Sequence, residues 1–240
     1  MTDFDQSRWA EPDFGRKFVE SADIAIVERK RSHAIMKSFF RHHFAGNERV
    51  DVLDLGCGDG ILTYGLTQTG VPLSATLVDG SEEMLAKARE RLRGASGIRT
   101  VRASFQEVVA GKAEAGDFDF VVSSLAIHHL DMAEKRELFR WIHGRLRKEG
   151  YFMNIDVVLA PDDALEEWYL TLWQEWITEK KASAGITGDV YDDTMRRYKD
   201  NRDNKPDRLD FQLDALRHAG FESVDCYYKY GIFSIFGGKK

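Results

Sequence analysis

Between positions 50 and 160, short apolar runs and amphipathic stretches take turns along the chain. Val50 to Leu55 reads as a strand, Ile61 to Gln68 as a helix, Ala75 to Val78 as a second strand and Ser81 to Arg93 as a second helix. Ser81 stands at the N-cap of that helix with Glu82 and Glu83 in its first turn, where carboxylates suit the dipole. A third strand falls near Ile98 to Val101, and the segment behind it has no clear period. Phe118 to Leu125 is a fourth strand, Asp131 to Arg147 a long helix closed by Lys148, Glu149 and Gly150, and Tyr151 to Leu159 a fifth strand. Strands alternating with helices at this spacing predict a parallel sheet covered on both faces.

The flanks follow other rules. Ile24, Val27, Ile35, Phe39 and Phe40 recur at helical spacing up to Gly46, so residues 1–48 form a helical extension of one helix or two. Beyond Pro161 the chain is charged and helical as far as about residue 205, a lid-like insertion (161–205) with no strand in it. Its residues Leu165, Trp168, Tyr169, Leu172, Trp173, Trp176 and Ile177 make one stripe. Such a stripe packs the insertion onto its own core, forms a homodimer contact, or lines an acceptor pocket; Tyr169 and Trp173 are the residues to test for the last role. Trp9, Tyr191 and Tyr198 are further aromatics that could reach the same cleft. A helix from about Asp207 to Ala219 ends at Gly220, and the runs Glu222 to Tyr230 and Ile232 to Phe236 hinge on Gly231 as an antiparallel hairpin.

The chain of 240 residues suits one domain, and 43% hydrophobic with 31% charged residues excludes a disordered or low-complexity protein. The longest nearly uncharged apolar stretch, Phe120 to Ile127, is too short to cross a bilayer. The opening MTDFDQSRW lacks a basic region followed by an apolar core, so no signal peptide is expected. Cys57 and Cys226 are the only cysteines, which points to a reducing, cytoplasmic setting. A net charge of −6 counts against a nucleic-acid backbone as partner, and the clusters Arg29-Lys30-Arg31 and Arg196-Arg197 are flanked by acids.

The most informative stretch is DLGCGDG, Asp54 to Gly60, directly after a strand and before a helix. Glycines there let the backbone turn sharply and a ligand come close, and the helix end adds free amide donors. A dinucleotide fingerprint would need glycine at 61, where Ile61 stands; the glycines fall at 56, 58 and 60. Asp79, at the end of the second strand, can accept both hydroxyl protons of a ribose. The pattern implies a nucleoside-bearing cofactor without a demanding pyrophosphate site.

DLGCGDG, LVDGSEEML, FDFVVSSLAIHHL and LRKEGYFMNIDV together resemble the successive signatures of class I S-adenosylmethionine-dependent methyltransferases, over roughly residues 50 to 160. Ala219-Gly220-Phe221 before the sixth strand extends the likeness to the end. The resemblance implies an α/β fold: a doubly wound, mostly parallel seven-stranded sheet of the Rossmann-like methyltransferase type, with the antiparallel C-terminal hairpin and the helical lid. It also implies S-adenosyl-L-methionine as cofactor and S-adenosyl-L-homocysteine as product. Gly56, Cys57, Gly58 and Gly60 would then line the methionine part, Asp54 would hold its ammonium and Asp79 its ribose. Gly80 and Ser81 would continue that wall, Met84 would touch the adenine, and Ser104 beside Phe105 would stand where many relatives carry an adenine-binding aspartate. The C-terminal half is more distantly similar to the carboxy-S-adenosylmethionine synthases of tRNA modification.

Methyl transfer from a sulfonium is an in-line displacement, in which alignment and exclusion of water matter more than an acid or base. Ser123, His128 and His129, at and past the end of the fourth strand, would face the cofactor across the switch point. Only one of two consecutive histidines points inward easily; His129 is the expected base or orienting group, with a purely structural pair as the alternative. Asp156 near the end of the fifth strand would orient an amine or hydroxyl, or pair with a basic residue. No metal site is expected, since the His42-His43 doublet has no acid or cysteine spaced to share an ion. Three functions compete: methylation of a small-molecule acceptor at N, O or S; a tRNA-modifying enzyme of the carboxy-S-adenosylmethionine synthase type; and a non-catalytic scaffold that binds the cofactor or a protein.

Overall fold

The computed structural model describes residues 4, 7–11, 13–112, 116–187, 198–199 and 203–240. Its strands are β1 (Val50–Leu55), β2 (Leu73–Asp79), β3 (Ile98–Arg102), β4 (Phe118–Ser124), β5 (Leu146–Val157), β6 (Glu222–Tyr230) and β7 (Phe233–Lys239). Its helices are α1 (Phe14–Ala25), α2 (Arg29–Phe44), α3 (Ile61–Thr67), α4 (Glu82–Arg91), α5 (Phe105–Val109), α6 (Met132–Arg145), α7 (Asp163–Ser183) and α8 (Leu209–His218). One sheet joins the strands in the order β3-β2-β1-β4-β5-β7-β6. β1 to β5 are parallel, while β7 runs antiparallel to β5 and to β6.

Strands buried on both faces read as nearly continuous apolar runs, which is why the central elements stand out in the sequence. On β1, Val50 and Val52 pack with Met36 and Phe40 of α2, Leu62 and Leu66 of α3 and Leu85 of α4. Leu53 and Leu55 turn to the other face, against Leu138, Phe139 and Ile142 of α6 and Leu216 of α8. Strand order reverses between β1 and β4, and that reversal opens a crevice at the carboxyl ends of the two strands.

Several boundaries differ from the pattern. The N-terminal extension holds two long helices, separated where Glu28 takes a left-handed φ of 50°. The unassigned segment behind β3 is α5, which starts from a capping box between Ser104 and Glu107. β5 begins at Leu146 rather than Tyr151, because Leu146 already pairs with Phe118 before the register shifts. The insertion is helical only as α7 among its described residues; 203–207 run without helix back to α8. Tyr191 and the Arg196-Arg197 cluster lie outside the described residues. Among those described, no helix is long and apolar enough to cross a membrane.

Candidate active site

β1 turns into α3 through three glycines in the left-handed region, and each has its own reason to be glycine. A Cβ on Gly56 (φ 67°) would stand 2.4 Å from Cβ of Ala126, in the loop after β4. One on Gly60 (φ 73°) would press within 3.1 Å of Ala88 on α4. One on Gly58 (φ 53°), which borders the cavity, would meet nothing within 4 Å among the described residues. The β1 and β2 loops are stitched together by Asp79, whose carboxylate accepts the amides of Gly58 at 2.9 Å and Ser81 at 2.8 Å.

Asp54 points to the α2–α4 side of β1 and is fully buried. Its Oδ2 accepts the Thr63 hydroxyl at 2.6 Å, while Oδ1 has no hydrogen-bond partner among the described residues. Burial pushes its pKa up to about 7 against the pull of Thr63, and the charges of Asp79 and Asp59 add to the rise. Burial likewise raises Asp79, against its two amide donors. The Cys57 thiol is raised by burial and by the same acids, so it stays protonated. Asp59 forms an ion pair with Arg91. The cavity wall formed by Asp54, Cys57 and Asp79 therefore calls for a cation and hydroxyl donors.

At the other end, His128 and His129 lie in a 3-10 turn after β4, with ring centres 4.1 Å apart. His128 Nδ1 is 2.5 Å from Asp156 Oδ1 in a buried pair that does not line the cavity. Asp156 also accepts from Asn154 and from the Val157 amide. Burial opposes its charge, yet His128 and then Lys135 hold its pKa below the ordinary value.

His129 does line the cavity. Its Nδ1 is 2.9 Å from the Asp203 carbonyl and its Nε2 is 3.0 Å from the Trp9 indole nitrogen. A carbonyl only accepts and an indole N–H only donates, so the proton is on Nδ1 and the lone pair on Nε2. Burial and then the neighbouring His128 lower its pKa to about 3, which keeps the ring neutral.

The cavity has a volume of about 150 Å³ and is roofed by the N-terminal strap. The Phe4 ring occupies the space a Cβ on Gly80 would need, 2.4 Å away, and Trp9 reaches His129. Arg29 and His33, one turn apart on α2, complete the wall. Arg29 pairs with Asp23 at 2.7 Å, and burial followed by the Arg29 charge lowers His33 to about 4.

Comparison with known proteins bears on the fold and its family. A family model described as a methyltransferase domain matches residues 52–150. A carboxy-S-adenosyl-L-methionine synthase of Methylococcus capsulatus is 26% identical over 184 residues, which are 75% of this chain and 72% of that protein. An O-methyltransferase family protein from Burkholderia thailandensis shares the fold with a TM-score of 0.66 at 15% identity, over 98% of this chain and 62% of that one. Magnesium protoporphyrin IX methyltransferase from Synechocystis, solved with bound S-adenosylhomocysteine, gives a TM-score of 0.61 at 15% identity, over 91% and 86% of the two chains. Residues 52–150 thus match a methyltransferase domain, and the chain resembles the class I S-adenosylmethionine-dependent methyltransferases in sequence and fold.

The residues of this cavity fit the cofactor of those methyltransferases, S-adenosylmethionine. The unpartnered Asp54 Oδ1 suits an α-ammonium, and each Asp79 oxygen keeps a lone pair for a ribose hydroxyl. Of the residues expected at the site, Asp54, Gly56, Cys57, Gly58, Asp79, Gly80, Met84, Ser104, Phe105 and His129 share the cavity. Ser104 is already engaged as a helix cap, with its hydroxyl accepting the Glu107 amide at 3.2 Å.

Seven others lie outside it. Gly60 packs on α4, and Ser81 caps α4 through the Met84 amide. Ser123 is buried in the sheet with its hydroxyl on the Leu55 carbonyl at 2.7 Å. His128 and Asp156 bind one another. Trp173 is buried and donates to the Ala25 carbonyl at 2.7 Å, and Tyr169 lies under the Lys229 ammonium at 4.0 Å. The α7 stripe thus covers the end of α1, where Trp176 also donates to the Ile24 carbonyl at 3.1 Å, because the last carbonyls of a helix need outside donors. Sequence reasoning passed over Phe4, Arg29, His33 and Asp203 in the cavity wall. Only contacts far apart in the chain bring them there, so no local spacing marks them.

Proposed function

We propose that the chain transfers a methyl group from S-adenosylmethionine to an N, O or S nucleophile of a small-molecule acceptor in the cytoplasm. The observation that carries this is the combination, in one cavity, of the buried Asp54 with an unpartnered oxygen and the neutral His129 with its lone pair on Nε2. When bound, the cofactor supplies a methyl carbon made electrophilic by its sulfonium. Asp54 would hold the ammonium and Arg29 the carboxylate of its amino-acid part, and Asp79 its ribose. Phe4 would exclude water from above. His129, neutral with a pKa near 3, is too weak a base to store a proton, so its role is to accept a hydrogen bond and aim the nucleophile.

A carboxy-S-adenosylmethionine synthase reaction is the second reading, favoured by the likeness to the Methylococcus synthase over three quarters of the chain. Calorimetric titration with S-adenosylmethionine and S-adenosylhomocysteine, with NADH as control, tests the cofactor: micromolar binding of the first two and none of the third is expected. Turnover against a panel of phenols, amines and thiols then separates the readings by product mass. A methylated acceptor supports transfer, a carboxylated cofactor supports the synthase, and neither product from a chain that binds the cofactor supports a scaffold.

A further inference from the structure

The methyltransferase reading leaves the acceptor open, and the roof of the cavity carries information about it. The Nε2 of His129 is an obligatory acceptor, because the Asp203 carbonyl keeps the ring proton on Nδ1. Whatever sits against Nε2 must therefore bring a hydrogen of its own. In this structure that partner is a flat aromatic ring, the Trp9 indole, donating N–H over 3.0 Å. The indole is gripped edge-to-face by Phe14 and Phe18, each at a ring-centre distance of 5.1 Å, with interplanar angles of 90° and 71°. Phe18 also lines the cavity.

The element that delivers Trp9 is slight. It is a 3-10 turn, Arg8 to Ala10, with no buried residue and no side-chain cap. Beyond Trp9, its ties among the described residues include the Arg8 amide on Asp203 Oδ2 at 3.1 Å and the Arg8 guanidinium over the Phe14 ring at 4.7 Å. With the turn in place the cavity is about 150 Å³, about half the lower limit for drug-sized ligand pockets. An acceptor and a nucleoside cofactor cannot both enter unless the roof gives way, and the roof is a single short turn with no buried residue.

We infer that Trp9 holds the place of the acceptor, and that the acceptor is a planar aromatic molecule whose O–H or N–H replaces the indole N–H at His129 Nε2. The inference rests on the methyl-transfer reading only for the word acceptor; the binding site and the class of ligand stand on the contacts of Trp9 and His129. A carboxylate, a thioether or a tertiary amine has no hydrogen to offer there and would leave the lone pair unpaired, which costs about a factor of ten or more in affinity.

The test uses the wild-type chain. Its five tryptophans give five indole N–H resonances, and that of Trp9 is assigned by its loss in Trp9→Phe. Phenol and indole are titrated against anisole and 1-methylindole, which keep the ring and lack the hydrogen, with and without S-adenosylhomocysteine. Saturable movement of the Trp9 resonance by phenol and indole, at least about tenfold weaker with the methylated probes, is expected. His129→Leu should abolish that preference, and Trp9→Phe should tighten phenol binding by removing the competitor. An equal response to both kinds of probe, no response, or phenol binding that leaves the Trp9 resonance in place would overturn the inference. Should Trp9→Phe not fold, the nuclear Overhauser contact between the indole and His129 supplies the assignment. Cofactor binding is read separately by calorimetry, so a chain that fails to bind S-adenosylhomocysteine sinks the methyltransferase reading without deciding this one.

Discussion

The buried carboxylate of Asp54 makes cofactor binding dependent on pH in a calculable way. In the unliganded chain its pKa is raised to about 7, above its ordinary 3.8, chiefly by burial. A group raised in the folded state adds stability that is full below the unfolded pKa and is lost as pH climbs through the folded one. A tenfold change in proton affinity is worth roughly 1.4 kcal/mol, so the free chain loses up to about 4 kcal/mol from this residue between pH 4 and 7. An ammonium against the unpartnered Oδ1 reverses the balance, since an opposite charge at close range favours the ionised form. If it returns the pKa to about 4, binding must first remove a proton at low pH. S-adenosylhomocysteine should then bind about fiftyfold more tightly at pH 7 than at pH 5. Its ammonium stays charged across that window, and His33 and His129, lowered to about 4 and about 3, stay neutral in it. Asp79 is raised too and contributes in the same sense, so Asp54→Asn is needed to isolate the effect. Calorimetry at pH 5, 6 and 7 in two buffers of different ionisation enthalpy reads both affinity and proton release. Asp54→Asn should bind weakly with a flattened profile, and at pH 8 its unliganded form should be more stable to urea than the wild type. A wild-type affinity that does not change between pH 5 and 7 would refute the ammonium assignment.

Two further outcomes follow from packing. Gly56→Ala and Gly58→Ala each force alanine into the left-handed region, worth about 1–2 kcal/mol; only Gly56→Ala also collides with Ala126, so its urea midpoint should fall by about twice as much. Gly58→Ala should fold yet lose at least about tenfold in S-adenosylhomocysteine affinity, and wild-type binding in that variant would remove Gly58 from the cofactor wall. Lys135 is fully buried, with its ammonium on the Lys205 carbonyl and on Asp207, each at 2.6 Å. Because Asp207 keeps some exposure and can rehydrate, Lys135→Met should cost about 2 kcal/mol rather than the larger penalty of a fully buried broken pair, lowering Tm by about 4–8 °C. A shift under about 1 °C in a thermal scan would show that the 203–207 segment is not anchored there.

The central sheet and the glycine loop were legible because their signals are local. A strand covered on both faces needs an apolar run, and a tight turn before a helix needs glycine; both conditions are met within a few residues of Val50 to Gly60. The acids Asp54 and Asp79 were legible for the same reason, each being placed by the end of its own strand. The aromatic stripe of α7 was readable as a stripe, but not its partner. Trp173 and Trp176 satisfy carbonyls of α1 that lie 148 and 152 positions away, and that pairing removes them from the acceptor side. The histidines show the limit most plainly. Adjacent in sequence, they differ entirely in surroundings: His128 is closed off by Asp156, whereas His129 is held between Asp203 and Trp9.

By itself, then, the sequence determined the succession of β1 to β5 with α3, α4 and α6, the position of the glycine turn and the two acids beside it, since hydrophobic period and backbone conformation are properties of short segments. Tertiary structure decided which oxygen of Asp54 is left unpartnered, which nitrogen of His129 keeps its lone pair, and that an N-terminal tryptophan covers it. Those outcomes depend on hydrogen bonds between residues on different elements, 9 to 120 positions apart. Only the folded chain brings such donors and acceptors within 3 Å of one another and withdraws them from water.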